Sequence, residues 1–256
     1  MRAFPHGSVA WLLRATRLSL LSVRVRGGVA AGARWTLFPW TSYWRGTHEP
    51  KVQAAIAALG GGSVAGWSCW DLGAHFGLYS IGLARRVGPA GEVAAFEPNP
   101  ASFARLRRHA RMNGLPWLKI YQAAVSDRTG SSEMFTYGDQ ATTTTHLAYG
   151  GEARLPSCNP IPVRTVRLDD LADSGELRVP DFVKVDVEGH AHRALWGMIG
   201  TLRKRLPTLI VAIHSPVEWE GVRDALEPLG YAWAPLDSGG SPPWIGRDLL
   251  CAHRKS

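Results

Sequence analysis

The sequence is short of cysteine, of long apolar runs and, at its start, of acidic residues. Its 256 residues hold three scattered cysteines, Cys69, Cys158 and Cys251, with no C-x-x-C pair. That argues against a disulfide framework or a cysteine-rich zinc site and for reduced, cytosolic thiols. No apolar stretch approaches the roughly 18 residues that span a bilayer. The leucines near the start are too interrupted by arginine for a secretory signal, and a cytoplasmic location is the expectation.

The formal charge of +8 is unevenly spread. Residues 1–48 contain seven arginines and no Asp or Glu, so the remainder is nearly neutral. This stretch also carries Trp11, Leu12, Leu13, Leu18, Leu20 and Leu21, and then Trp35, Trp40 and Trp44. The pattern predicts a helical N-terminal arm over residues 1–44. Its apolar face packs on the next domain, or else it touches a membrane surface or an acidic substrate. The apolar fraction of 45% and charged fraction of 20% are globular values, and residues 45–256 read as one domain.

From residue 49 strand-like and helix-like runs alternate. EPKVQAAIAALGG is a helix opened by Pro50; WSCWDLG is a buried strand; YSIGLARRVG is a helix ending at Gly88. GEVAAFEPN, LKIYQAAVSD, FVKVDVEG and TLIVAIHSP supply further strands, and a helix after Asn99 ends at Asn113-Gly114. Runs this continuous in Val, Ile, Ala and Phe fit parallel strands covered on both faces, hence a doubly wound α/β sheet. Residues 128–167 break the rhythm and read as a short hairpin plus a long loop. GYAWAPLD and RDLLCAHRK read as an antiparallel pair at one sheet edge.

In such a sheet ligands bind beyond the carboxyl ends of the strands. The turn WDLGAHFG lies at one such end, where Gly73 and Gly77 allow a tight turn and close backbone approach. It lacks both the G-x-G-x-x-G spacing of dinucleotide enzymes and the lysine of a phosphate loop. Asp71 at the strand tip would repel a pyrophosphate and hold an ammonium group or its water. Glu97, at the tip of VAAFEP, is placed to accept from both ribose hydroxyls. Ala124, Val125 and the polar Ser126 and Asp127 lie beside a slot for the base. A cofactor with a positive amino-acid end suits this set better than one with two phosphates.

WDLGAHFG, VAAFEPNP, AAVSD, VRLDDL and above all FVKVDVEGH resemble the FkbM-type family of S-adenosylmethionine-dependent O-methyltransferases, and GTHEP resembles that family's entry into the core. The family often has Asn where His75 stands and usually Glu where Ala191 stands. The resemblance runs from about residue 45 to about 215. It implies the class I methyltransferase fold, Rossmann-like, with a mostly parallel seven-stranded sheet whose last strand is antiparallel. It implies S-adenosyl-L-methionine as cofactor, held by Glu49, Asp71, Gly73, Ala74, His75, Gly77, Glu97, Pro98, Ala124, Val125, Ser126 and Asp186. The implied acceptor is a hydroxyl on a sugar, a glycan or a polyketide-like small molecule.

Methyl transfer gains most from holding the acceptor oxygen in line with the methyl group, and an alcohol must also lose a proton. Asp186, Glu188 and His214, at adjacent strand ends, are the candidates for both tasks. Each has a plainer reading: Asp186 pairing with Lys184, Glu188 capping a helix, His214 as a hydrogen-bonded core histidine. A divalent ion held by the three is the lesser alternative, because few further ligands neighbour them in the sequence, and no metal is expected. Three other functions compete. A nucleic-acid methyltransferase acting on a base nitrogen needs an Asn/Asp-Pro-Pro-aromatic turn, whereas DVEG is acidic and disfavours a nucleic-acid partner. A nicotinamide oxidoreductase conflicts with the glycine spacing. A non-catalytic binding domain using the tryptophan-rich arm remains the third.

Overall fold

A computed structural model describes residues 21–37, 41–137, 145–147, 158–237 and 241–253. The chain opens with strands β1 (Ser22–Arg24) and β2 (Arg34–Thr36) and helix α1 (Pro50–Ala58). The alternating core follows: β3 (Ser68–Leu72), α2 (Leu78–Val87), β4 (Glu92–Phe96), α3 (Pro100–Asn113) and β5 (Leu118–Tyr121). An excursion, β6 (Ala124–Val125), β7 (Gly130–Tyr137), β8 (Thr145–Leu147) and β9 (Cys158–Val166), leads to α4 (Leu168–Asp173) and β10 (Phe182–Val185). Last come α5 (Ala191–Trp196), α6 (Ile199–Arg205), β11 (Thr208–Ile213), α7 (Pro216–Leu226), β12 (Tyr231–Pro235) and β13 (Arg247–His253).

Seven strands form one sheet in the order β12-β13-β11-β10-β3-β4-β5. All run parallel except β13, the last in the chain, which lies antiparallel between β11 and β12. The strand order reverses between β3 and β10, so their tips open the crevice where this fold class binds ligands. The continuous apolar runs have the expected cause: every residue of β3 and of β10 is buried. One apolar cluster, with Ile56, Ile81, Leu83 and Leu106, covers one side of the core, and a second, with Trp70, Phe96, Leu195 and Trp219, the other.

Local chemistry fixes the helix starts. Asn99 caps α3, its side-chain oxygen accepting from the N–H groups of Ala101 (2.9 Å) and Ser102 (3.2 Å), with Pro100 in the first turn. Gly77, at φ 88°, caps α2. A β-carbon there would lie 2.3 Å from Leu106 Cδ1, so this glycine also lets α2 and α3 pack.

Two expectations need correction. The described part of the arm is a hairpin, not a helix: β1 and β2 pair antiparallel, because Gly28 (φ 70°) and Gly32 (φ 77°) turn the chain between them. It is pinned to the core. Trp35 is fully buried and stacks on His109 with ring centres 3.8 Å apart. His109 Nε2 accepts from the Thr36 N–H at 3.1 Å, while Nδ1 bonds the Phe76 carbonyl at 2.8 Å. Residues 1–20, which carry the expected membrane or acidic-substrate contact, lie outside the described residues.

The expected third strand is also two. β5 stays in the main sheet, whereas β6 turns away and pairs parallel with β9. β7 and β9 are antiparallel from Gly130↔Thr165 to Tyr137↔Cys158, giving a second sheet ordered β6-β9-β7-β8. Pro160 and Pro162 within β9 disguise it as a loop in the sequence. Among the described residues no helix is long and apolar enough to cross a membrane.

Candidate active site

A cavity of about 420 Å³ opens over the tips of β3, β4, β10 and β11. The turn after β3 folds across the tip of β4, the N–H groups of Gly73 and Ala74 both donating to the Phe96 carbonyl (3.0 and 2.9 Å). Gly73 holds φ 83°. His75 also adopts a left-handed φ of 49°, which is uncommon outside glycine. Its ring stacks on Phe76 at 3.7 Å, and Nδ1 bonds the Tyr43 hydroxyl at 2.9 Å. Burial, then the nearby Arg105 charge, lowers its pKa to about 3, so the imidazole is neutral.

Glu97 lines the cavity and is 6% exposed. One carboxylate oxygen accepts the His75 N–H at 2.7 Å and the other the Asn99 N–H at 2.8 Å. Burial raises its pKa to about 7 against those two bonds. Each oxygen keeps acceptor capacity for a ligand hydroxyl.

A buried ion network lies beneath. Lys184, 2% exposed, is in register with Asp71 on the neighbouring strand. Its Nζ donates to Asp186 Oδ2 at 2.8 Å and lies 4.7 Å from the centre of the Tyr79 ring. Burial opposes its charge, but Asp186, Asp71 and Glu49 hold its pKa above the ordinary lysine value. Asp71 is fully buried and accepts from Ser80 Oγ at 2.5 Å. Glu49 accepts from the Tyr79 hydroxyl at 2.6 Å and lies 3.2 Å from His48. Burial works against its charge, yet His48, Lys184 and Tyr79 bring its pKa down to about 2.

On the other side of Asp186 stands a second cluster. His214 Nε2 is 3.5 Å from Asp186 Oδ1 and 3.6 Å from Glu188 Oε2. Behind it the fully buried Glu218 accepts from the His214 backbone N–H at 2.6 Å and approaches Nδ1 at 3.3 Å. Burial would lower the pKa of His214, but Glu218 and then Asp186 and Glu188 raise it to about 9. Asp186, Glu188 and His214 bring their ligating atoms within 4.8 Å of one another. A divalent ion could bridge that spacing, but it would compete with the proton for Nε2.

Of the residues singled out in the sequence, Glu49, Gly73, His75, Glu97, Pro98, Ala124, Val125, Asp186, Glu188 and His214 line this one cavity. Asp71, Ala74, Gly77 and Ser126 are not among the residues that line it. Asp71 lies one residue inside the tip, where its charge is used on Lys184 and Ser80. Ala74 is buried under the turn, and Gly77 is taken up by the contact with Leu106. The Ser126 hydroxyl turns to Asp127 (3.1 Å) and His190 Nε2 (3.1 Å). The sequence reading missed Tyr43, His48, Met134 and the β13 pair Arg247 and Asp248, which also line the cavity. Their signal was weak because each comes from outside the strand-tip motifs.

The family model described as the methyltransferase FkbM domain matches residues 71–232, more than half of the chain. The chain belongs to the FkbM methyltransferase family. The family's methyl donor is S-adenosyl-L-methionine. Hexuronic acid methyltransferase AglP of Haloferax volcanii is 31% identical over 158 residues, covering 61% of this chain and 60% of that protein. The 31-O-demethyl-FK506 methyltransferase FkbM of Streptomyces tacrolimicus is 27% identical over 170 residues, covering 57% and 65%. The matched region is thus under two thirds of either relative. A crystal structure of an FkbM methyltransferase from Methylobacillus flagellatus KT superposes with a TM-score of 0.50 at 18% identity, over 74% of this chain and 44% of that one. It shows the shared fold.

The cavity's donor set fits the FkbM family's cofactor. Carboxylates of Glu49, Glu97, Asp186 and Asp248 line the cavity and suit a ligand with cationic groups and hydroxyls, and residues 123–125 offer a small apolar wall.

Proposed function

We propose that this FkbM-family chain transfers a methyl group from S-adenosylmethionine to a hydroxyl of a sugar, a glycan or a polyketide-like small molecule. The observation that carries this reading is that Asp186 faces two ways. It lines the same cavity as Glu97 and also lies 3.5 Å from a histidine ring nitrogen. A cofactor carboxylate set and a proton-handling cluster therefore share one wall.

In this reading Glu97 accepts the ribose hydroxyls, residues 123–125 flank the adenine, and Glu49 with Asp186 faces the amino group. The cofactor, when bound, supplies an activated methyl group on a positively charged sulfur. Lys184 fixes Asp186 through their 2.8 Å ion pair. Asp186, Glu188 and His214 orient the acceptor hydroxyl and take its proton, which aligns the oxygen and leaves it nucleophilic. The names of the relatives support oxygen as the acceptor atom: one is a 31-O-demethyl-FK506 methyltransferase, and NoeI of Sinorhizobium fredii, 30% identical over 131 residues, is a 2-O-methyltransferase. The acidic Asp186–Glu188 wall disfavours a phosphate-bearing strand.

The test is a screen of radiolabelled methyl transfer from S-adenosylmethionine into uronic acids, neutral sugars, glycans and macrolide-like alcohols. Label in an alkali-stable ether product is the expected result. Label only in nucleic acid, or in no acceptor, would defeat the reading.

A further inference from the structure

We infer that Glu218 is the positioning residue that fixes His214 as the proton acceptor of the methyl-transfer site. The inference rests on the role proposed for His214 above and adds the group that gives the ring its orientation.

Glu218 lies outside the cavity lining, and its sequence context suggests a different task. Ser215-Pro216-Val217-Glu218 has the form of a capping box, in which the glutamate reaches back to the amide of the capping serine. Half of that box is present: Ser215 Oγ accepts the Glu218 N–H at 3.1 Å. The carboxylate is used elsewhere. Its Oε1 accepts the Ala191 N–H at 2.7 Å, and its Oε2 accepts the His214 N–H at 2.6 Å and faces His214 Nδ1 at 3.3 Å. A carboxylate with no exposure must be fully paired to persist in the core, and here two of its three contacts go to His214 at the tip of β11.

The geometry has two consequences. With Nδ1–H directed at Glu218, the neutral ring carries its lone pair on Nε2, which points to Asp186 (3.5 Å) and Glu188 (3.6 Å). This is the logic by which a buried carboxylate fixes the tautomer of a catalytic histidine. The same carboxylate also holds the start of α5 through Ala191, just after the loop that carries Glu188, whose own φ is 50°. One buried group thereby sets the distance between His214 and the Glu188 loop.

The proton step balances simply. The acceptor O–H bond breaks, its proton goes to Nε2, and the electron pair stays on the oxygen for the new bond to the methyl carbon, whose bond to the sulfonium sulfur would break with its pair left on the thioether. The resulting imidazolium lies among Glu218 of α7, Asp186 and Glu188 of the β10 loop, and the field of Asp248 on β13; Lys184 neutralises part of Asp186. His192 on α5 is the remaining titratable group coupled to Glu218. These carboxylates are why the ring's pKa is raised to about 9. The base form, and with it the rate, should grow as pH rises toward that value.

The experiment uses the full chain labelled with ¹⁵N-histidine, its His214 signals assigned by their loss in His214→Asn. Long-range proton–nitrogen spectra across pH 6–10 should show the doubly protonated ring at the low end and, as it loses its proton toward pH 10, the Nδ1-protonated tautomer in wild type. In Glu218→Gln the titration should move at least one pH unit lower and the tautomer preference should weaken. Retained binding of S-adenosylhomocysteine identifies a folded variant. An unchanged titration in folded Glu218→Gln overturns the inference. Should that variant not fold, an Nε2-protonated tautomer in the wild type overturns it alone. With an acceptor from the screen, the rising limb of kcat/KM should shift to lower pH in Glu218→Gln. Full activity with a normal limb in His214→Asn would instead remove the underlying role of His214, whatever the spectra show.

Discussion

Gly73 and Asp186 meet backbone to backbone: a β-carbon on Gly73 would lie 1.8 Å from the Asp186 carbonyl oxygen. The turn after β3 and the loop after β10 can approach this closely only because residue 73 has no side chain. Its φ of 83° adds a second reason for glycine. Gly73→Ala should therefore part the tips of β3 and β10, costing on the order of 3 kcal/mol and most of the affinity for S-adenosylhomocysteine. Urea melts and calorimetry check both, and near-wild-type values would show that the tips need not touch.

We expect Asp71, in register with the buried Lys184 and outside the cavity lining, to act mainly as a support for that lysine. Replacing it with Asn leaves Lys184 in the core with one fewer counter-charge near it, and a buried charge so deprived costs about 3 kcal/mol. Asp71→Asn should lower stability by roughly that amount in urea melts and weaken cofactor binding less than Glu97→Ala does. A fully stable variant that fails to bind S-adenosylhomocysteine would restore Asp71 to the cavity.

The hairpin belongs to the fold through His109. His109→Ala removes the Trp35 stack and two hydrogen bonds, a loss of about 3 kcal/mol. Hydrogen exchange should then quicken across residues 22–36, with Thr36 foremost, while β10 and β11 stay protected. Uniform loss of protection, or none, would contradict a local anchoring role.

The sheet was legible because its central strands, β3, β4, β10 and β11, are buried on both faces, so apolar continuity and glycine punctuation located them. Glu97, Asp186 and His214 were legible because a strand tip followed by a turn marks the ligand edge of such a sheet. The place of Asp71 was not legible, because a one-residue difference along a strand separates a tip from the interior, and only the structure shows its register with Lys184. Tyr43, His48 and Asp248 were missed because they reach the cavity from the ends of the chain, through packing that no local pattern encodes. Glu218 was hidden in what reads as an ordinary helix cap.

The central claim is that the cavity above Glu97 is the S-adenosylmethionine site. Calorimetric titration with S-adenosylhomocysteine, run from pH 6 to 8 on wild type and Glu97→Ala, tests it most directly. Hydroxyl donors favour the charged carboxylate, and the Glu97 pKa is raised to about 7, so wild-type binding should tighten as pH rises through that value. The account predicts one site per chain, at least tenfold weaker in Glu97→Ala and with that pH dependence gone. Equal affinity in both proteins, or no binding by wild type, would contradict it.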